Sequence, residues 1–350
     1  MKVISLTDET RLKGCYAATI GFFDGVHSGH RFVLEQLCQQ AKEHGWPSMA
    51  ITFDRHPRQV VDTAWHPLLL TTLDEKVALL QQTGIDLLVV LTFDEEMAWL
   101  TAHDFMQQVL KERLGIGLLL TGYDNRFGHR TPDTHEGFND YVRYGQELGI
   151  EVVCGEGLQI PSLSPVAKLP NRSLLAIASH LSPHTSHISS SLIRRLIGEG
   201  RVEEAAQCLG RPYSLCGTVE HGFEQGRKMG FPTANMKVDS CRLVPADGVY
   251  AVSVSLSPST LLPPLSTLHH QPLTGITNIG MRPTFDGHQR TIETHILDFE
   301  GDIYGQNISI EFIARLRDEK YFESAEELAQ QMKRDAEMAK KTKAASKREQ

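Results

Sequence analysis

Between Cys15 and Cys154 the chain repeats one pattern: a short continuous apolar run, then a longer stretch with apolar residues every three or four positions. The runs Cys15–Ile20, Met49–Phe53, Ile85–Leu91, Ile116–Thr121 and Ile150–Cys154 lack the polar alternation of half-exposed strands. They predict strands covered on both faces. The stretches between them predict helices. Thr72-Leu73-Asp74-Glu75 and Thr101-Ala102-His103-Asp104 have the hydroxyl-to-acid spacing of a helix start. Gly45, Gly84, Gly115 and Gly149 fall where each helix must stop before the next strand, and glycine closes helices in the left-handed conformation. Such alternation predicts a parallel sheet with helices on both faces, and ligands in such folds bind at the carboxyl ends of the strands.

After Arg201 the period changes. Arg201–Leu209 reads as a short connecting helix, after which Gly248–Leu256, Thr291–Phe299 and Asn307–Leu316 alternate as strands. Ser324–Lys340 is an amphipathic helix with a capping box from Ser324 to Glu327. Several strands with turns and one terminal helix predict a small antiparallel β-barrel with a C-terminal helix packed outside it. Two stretches rich in Pro and Ser, Gly155–His184 and Ser257–Pro272, read as loops. The basic tail from Lys340 to Gln350 reads as disordered.

Composition narrows the class. The 350 residues suffice for two domains with proper cores. The net charge of −8 argues against nonspecific nucleic-acid binding. Six scattered cysteines without a C-x-x-C pair read as reduced core residues of a cytoplasmic protein. No apolar stretch reaches the length of a membrane helix.

The candidate chemistry lies in loops. GFFDGVHSGH, Gly21–His30, joins the first predicted strand of the repeat to a helix. Its glycines allow close backbone approach, and a helix start offers unpaired N–H groups, so the segment is an anion site. His27 and His30 beside it can add hydrogen bonds or charge to phosphate oxygens; they could also ligate a metal. Two more polar loops follow strands: TFDRHPR, with Asp54, His56 and Arg58, and GYDNRFG, with Asp124, Asn125 and Arg126. Ser189, Ser190 and Ser191 precede an apolar helix bearing Arg194. They can cap it or donate hydroxyls to phosphate. In the second half, Gly217–Asn235 is glycine-rich and basic. It can wrap phosphate, or form a β-hairpin. The Thr233 hydroxyl and the Asn235 carbonyl are hard oxygen donors suited to Mg²⁺.

These motifs carry a resemblance. GFFDGVHSGH, TFDRHPR, GYDNRFG and HISSSLIR are similar to the motifs of bacterial FAD synthetases. GTVEHGFEQGRKMGFPTAN resembles the riboflavin kinase signature, and GVYAV, TNIGMRPTF, ETHILDF and RLRDEKYF match further landmarks of that family. Arg55, Asn125 and Ser191 depart from the usual pattern, and none of these changes removes a charged or imidazole group. The resemblance to the bifunctional riboflavin kinase/FMN adenylyltransferase family implies two domains. Residues 1–198 would form an α/β Rossmann-like nucleotidyltransferase domain, and residues 199–340 a riboflavin kinase domain. It implies that riboflavin is phosphorylated to FMN and FMN adenylylated to FAD, each with ATP and Mg²⁺. For adenylylation it implies His27 and His30 as catalytic, with Gly21, Phe23, Asp24, Gly25, Gly29, Asp54, His56, Arg58, Asp124, Asn125, Arg126, Ser189, Ser190, Ser191 and Arg194 binding ATP and FMN. Asp24 holds the loop, or Mg²⁺ through water. For phosphorylation it implies Glu293 as general base and Gly222, Gly226, Arg227, Lys228, Gly230, Pro232, Thr233 and Asn235 as the ATP and riboflavin cradle, with Mg²⁺ on Thr233 and Asn235. Partners are small molecules, with no nucleic acid and no membrane.

Overall fold

A computed structural model describes residues 1–7, 9–62, 64–122, 126–129, 136–158, 188–221, 231–257, 272–284 and 287–349. Most of the two expected loops, together with Asp124, Asn125, Gly222, Gly226, Arg227, Lys228 and Gly230, lies outside these residues. The described chain packs as two compact units that meet in sequence between Ser189 and Ser190.

The first unit is a parallel sheet of six strands: β1 (Lys2–Leu6), β2 (Tyr16–Ile20), β3 (Ser48–Phe53), β4 (Leu87–Leu91), β5 (Ile116–Thr121) and β6 (Glu151–Cys154). Their order across the sheet is β1-β4-β3-β2-β5-β6. From β2 the chain steps outward through β3 and β4, then returns to place β5 on the other side of β2. The order therefore reverses between β2 and β5, which is where such sheets open a crevice.

Both faces are covered, as the continuous apolar runs require. Alternate residues of one strand serve opposite cores: Ala17 faces one and Ala18 the other, as do Ala50 and Ile51, and Leu88 and Val89. On one face lie helix α1 (Ser28–His44), through Leu34, Leu37 and Ala41, and α3 (Leu73–Gln81), through Leu79 and Leu80. On the other lie Phe105, Met106, Val109 and Leu110, with Tyr141 of α6 (Phe138–Leu148). Short helices α2 (Pro57–Val61), α4 (Glu95–Trp99) and α5 (Ala102–Asp104) complete the unit. Helix α5 continues as a π-helical stretch over Phe105–Arg113. The capping box at Thr72 and Glu75 is present in both directions, and Gly45 closes α1 with φ 68°. Strand β1 has no counterpart among the predicted elements, because three of its five residues are exposed and its apolar signal is weak.

The second unit contains α7 (Ser190–Gly198), α8 (Val202–Leu209) and a closed antiparallel barrel. The strands are β7 (Tyr213–Glu220), β8 (Ala234–Val238), β9 (Gly248–Ser257), β10 (Leu273–Thr284), β11 (Gly287–Ile296) and β12 (Asn307–Arg317). They close in the order β10-β11-β8-β7-β12-β9. Helix α7 packs here through buried Leu192, Ile193, Leu196 and Ile197, and the Ile197 carbonyl accepts from Ala246 N–H. The unit therefore starts ahead of the expected boundary after residue 198.

Helix α9 (Ala325–Glu349) begins at the predicted cap, where Ser324 Oγ accepts from Glu327 N–H at 3.1 Å. It runs on through the stretch expected to be disordered. There Lys343 donates to the carbonyls of Pro272 and Leu273 at 2.6 and 2.9 Å. Asp335 of α9, buried with 3% of its side chain exposed, accepts from Arg317 Nε and Nη2 at 3.0 and 2.9 Å, which pins the helix to β12.

Candidate active sites

The loop from Gly21 to His27 lies at the carboxyl end of β2, at the reversal of strand order. Its backbone is forced: Phe23 and Val26 adopt φ 52° and 39°, a region costly for residues with side chains. Strain of this kind persists only where surroundings over-determine it, and here they do. Buried Asp24 accepts from the N–H groups of Leu70 and Thr71 and from the Thr71 hydroxyl at 3.0–3.2 Å. Thr71 Oγ1 in turn accepts from Gly25 N–H at 3.0 Å. The Asp24 carboxylate is thus engaged in holding the loop against the segment that leads into α3.

His27 caps α1: its Nδ1 accepts from His30 N–H at 3.3 Å, which places its own ring proton on Nε2. The His27 and His30 rings stack at 3.6 Å and 17°. Phe23 meets His30 edge-on at 5.2 Å. Among the described residues, His30 Nδ1 is buried without a hydrogen-bond partner. Burial holds the His30 pKa well below the usual imidazole value, and the nearby His27 and Lys76 add to the effect. Gly29 is closely packed, since a Cβ there would lie 3.2 Å from the His27 ring and 3.3 Å from the Ile188 carbonyl.

The loop after β3 joins this site. The Asp54 carboxylate accepts from Phe93 N–H at 3.0 Å and pairs with Arg55 at 3.4 Å. His56 caps α2 by accepting from Arg58 N–H at 3.1 Å, and its ring stands edge-on to Phe22 at 4.8 Å. Arg58 lies over the Trp65 ring and pairs with Asp62 at 3.5 Å. Arg126 is exposed in the described part of the loop after β5. Ser189 falls in the first unit, whereas Ser190, Ser191 and Arg194 start α7 in the second.

Lys76 was not among the predicted residues. It is 3% exposed, and its Nζ donates to the carbonyls of Phe22 and Phe53, each at 3.1 Å. The ammonium also lies 4.3 Å from the centre of the Phe22 ring. Burial pulls its pKa down to about 8, against the opposing pull of Asp24 and Asp54. A signal for it exists in the sequence: Lys76 sits three residues from both Leu73 and Leu79 and four from Leu80, on the apolar stripe of its helix.

In the barrel the candidate residues sit on strands. Glu293 of β11 pairs across the ladder with Asn235 of β8 on one side and Asn278 of β10 on the other. Directly paired residues point to the same face, so Asn235, Glu293 and Asn278 form a polar row. Asn278 donates to Glu319 at 3.4 Å, and the Glu319 carboxylate occupies the space beside Gly280 that a Cβ would fill. A cavity of about 350 Å³ lies alongside, lined by Val219, Thr233, Asn235, Thr294, Phe299 and Tyr304 among others. Pro232 lies at its edge, and its carbonyl accepts from His295 Nδ1–H at 2.8 Å. Tyr304 stacks on His221 at 3.8 Å. No group of three or more His, Cys, Asp or Glu side chains among the described residues could hold a metal by itself.

Residues 9–162 match the family described as FAD synthetase, and residues 209–343 the family described as riboflavin kinase. The bifunctional riboflavin kinase/FMN adenylyltransferase of Escherichia coli (strain K12) is 34% identical over 329 residues, covering 92% of this chain and 91% of that protein. The protein of the same description from Haemophilus influenzae is 33% identical and covers 94% of each chain. A crystal structure described as a macrolide-efflux protein from Streptococcus pneumoniae has a TM-score of 0.77 at 27% identity, over 97% of this chain and 99% of that one. Among the described residues no helix is long and apolar enough to cross a membrane.

Proposed function

Because the chain belongs to the bifunctional riboflavin kinase/FMN adenylyltransferase family, we propose that it phosphorylates riboflavin to FMN in the barrel and adenylylates FMN to FAD at the parallel sheet, each with ATP. The observation that carries this reading is that each family match falls on one compact unit, and each unit holds its own polar site. The named small molecules are the partners, and the cytoplasm is the compartment.

In adenylyl transfer an FMN phosphate oxygen attacks the α-phosphorus of ATP, the bond to the bridging oxygen breaks, and pyrophosphate leaves. An ionised phosphate needs no general base. The protein supplies position and fixed positive potential. The start of α1 donates N–H groups, and His27 and His30 face the phosphates from its first turn. Asp24 acts by holding the loop. Asp54, His56 and Arg58 line the next loop, and Asp124, Asn125 and Arg126, which follow β5 in sequence, belong to the same proposed set with Ser189.

In phosphoryl transfer the riboflavin 5′-hydroxyl attacks the γ-phosphorus. Its proton passes to Glu293, the γ-to-bridging bond breaks, and ADP leaves. Asn235, held in register with Glu293, and Thr233 orient the nucleotide beside the cavity, with Gly222, Gly226, Arg227, Lys228 and Gly230 from the preceding loop. Thr233 and Asn235 offer hard oxygens beside a carboxylate, a donor set that fits Mg²⁺ completed by phosphate and water oxygens. Bound there, Mg²⁺ would offset charge on the phosphates.

The test is a product time course with Mg²⁺, ATP and riboflavin. FMN followed by FAD is expected; His30→Ala should stop at FMN, and Asn235→Ala should make FAD only from added FMN. FMN without FAD would remove the adenylyltransferase assignment, and intact ATP with no flavin product would remove both.

A further inference from the structure

The adenylylation site has a buried cation that none of its motifs contains. Lys76 comes from α3, far in sequence from both loops it touches. Its two carbonyl acceptors are the first residue beyond Gly21 and the last residue of β3. The Phe22 carbonyl also accepts from the Thr52 hydroxyl at 3.2 Å. One ammonium therefore bridges the loop carrying His27 and His30 to the loop carrying Asp54 and His56. The same segment grips the first loop again five residues earlier, where Thr71 holds Asp24 and Gly25. Water could satisfy two loop carbonyls without the cost of desolvating a charge. A buried ammonium in that place therefore calls for a reason beyond hydrogen bonding.

We propose that Lys76 is a positioning residue of adenylyl transfer: it fixes the two phosphate-facing loops relative to each other and places a buried ammonium at the base of the loop that leads to His27 and His30. This rests on the adenylyltransferase reading of the first unit. The charged and titratable groups facing this region are His27 beside His30, and Asp24 and Asp54 beside Lys76. Burial above all, then His27 and Lys76, work against the charging of His30, whose Nδ1 is buried without a partner among the described residues. Polyanionic nucleotide favours the charged form, so binding and protonation of His30 are coupled.

The test uses the full-length protein with Lys76→Met and Lys76→Gln, the second retaining N–H donors without charge. Riboflavin phosphorylation by the same preparations reports intact protein, and a thermal melt reports the fold of the first unit. Lys76→Met should lower kcat for FMN adenylylation by about 10-fold, with the KM for ATP changed less. Lys76→Gln should recover part of kcat. In both variants the imidazole titration of His30, followed by ¹H–¹⁵N NMR, should move to higher pH. Adenylylation within twofold of wild type in a folded variant would overturn the proposal, as would a rate loss with the His30 titration unmoved. If Lys76→Met loses the melting transition, Lys76→Gln carries the same test. Wild-type protein that makes no FAD would instead overturn the adenylyltransferase reading itself.

Discussion

On the proposed reading, the two units would handle anionic substrates with different parts. In the parallel sheet they are mostly backbone, namely the His27-capped start of α1, a loop bent through positive φ, and carbonyls tied by Lys76. In the barrel they are side chains in register on neighbouring strands, Asn235 against Glu293 against Asn278. A loop site takes its precision from remote supports such as Thr71 and Lys76. A strand site takes it from the ladder, where a one-residue slip would turn Asn235 and Glu293 to opposite faces. The first can be loosened from a distance, while the second fails at its own residues.

The contrast is tested most severely at Glu293. Glu293→Gln keeps the shape and removes the proposed proton acceptor, so riboflavin phosphorylation should fall by about 10³-fold. FMN adenylylation should be unchanged when FMN and FAD are separated over time. Parallel loss of both activities would overturn the assignment of one activity to each unit. His30→Ala is the mirror experiment, with adenylylation falling by about 10²-fold and phosphorylation continuing. A smaller stability effect is expected from Asp335→Ala, which leaves the half-buried Arg317 without its carboxylate. It should cost about 3 kcal/mol in a urea melt followed by riboflavin phosphorylation. Arg317→Met with Asp335→Leu should recover most of that loss, because the pair is then absent rather than broken. The smallest effect concerns pH. The native pKa of His30 lies below its unfolded value of about 6.5, so between the two the unfolded chain binds a proton that the native chain does not. Stability therefore rises with pH across that window and is lost as pH falls below about 6.5. Wild type should lose melting temperature between pH 7 and pH 5 more steeply than His30→Gln, and equal slopes would place the titration elsewhere.

Local signals made much of this legible in the sequence. The Thr72–Glu75 box, the left-handed Gly45 and Gly149, and the apolar runs of β2 to β6 each depend on neighbours within a few positions. The barrel was readable as a change of period, although β10, broken by Gly275, Gly280 and Pro283, shows little alternation of its own. What escaped depends on distant partners or on weak patterning. Strand β1 has one buried residue. Nothing in the composition of Phe105–Arg113 marks a π-helix. The acceptors of Lys76 are backbone atoms 54 and 23 residues away. The tail reads as disordered by charge, yet its Ala and Lys residues are good helix formers, and Lys343 anchors it to the start of β10.

Barrel closure has a consequence for association. A strand at the edge of a sheet offers unpaired N–H and C=O groups that can recruit another chain. In the barrel each strand has neighbours on both sides, so that unit presents no edge among its described strands. The parallel sheet keeps two, β1 and β6, and both are short, with Lys2 opening one and Glu151 the other. Short, charged edges discourage strand-to-strand pairing, so one chain guards against aggregation by closure in one unit and by charge in the other.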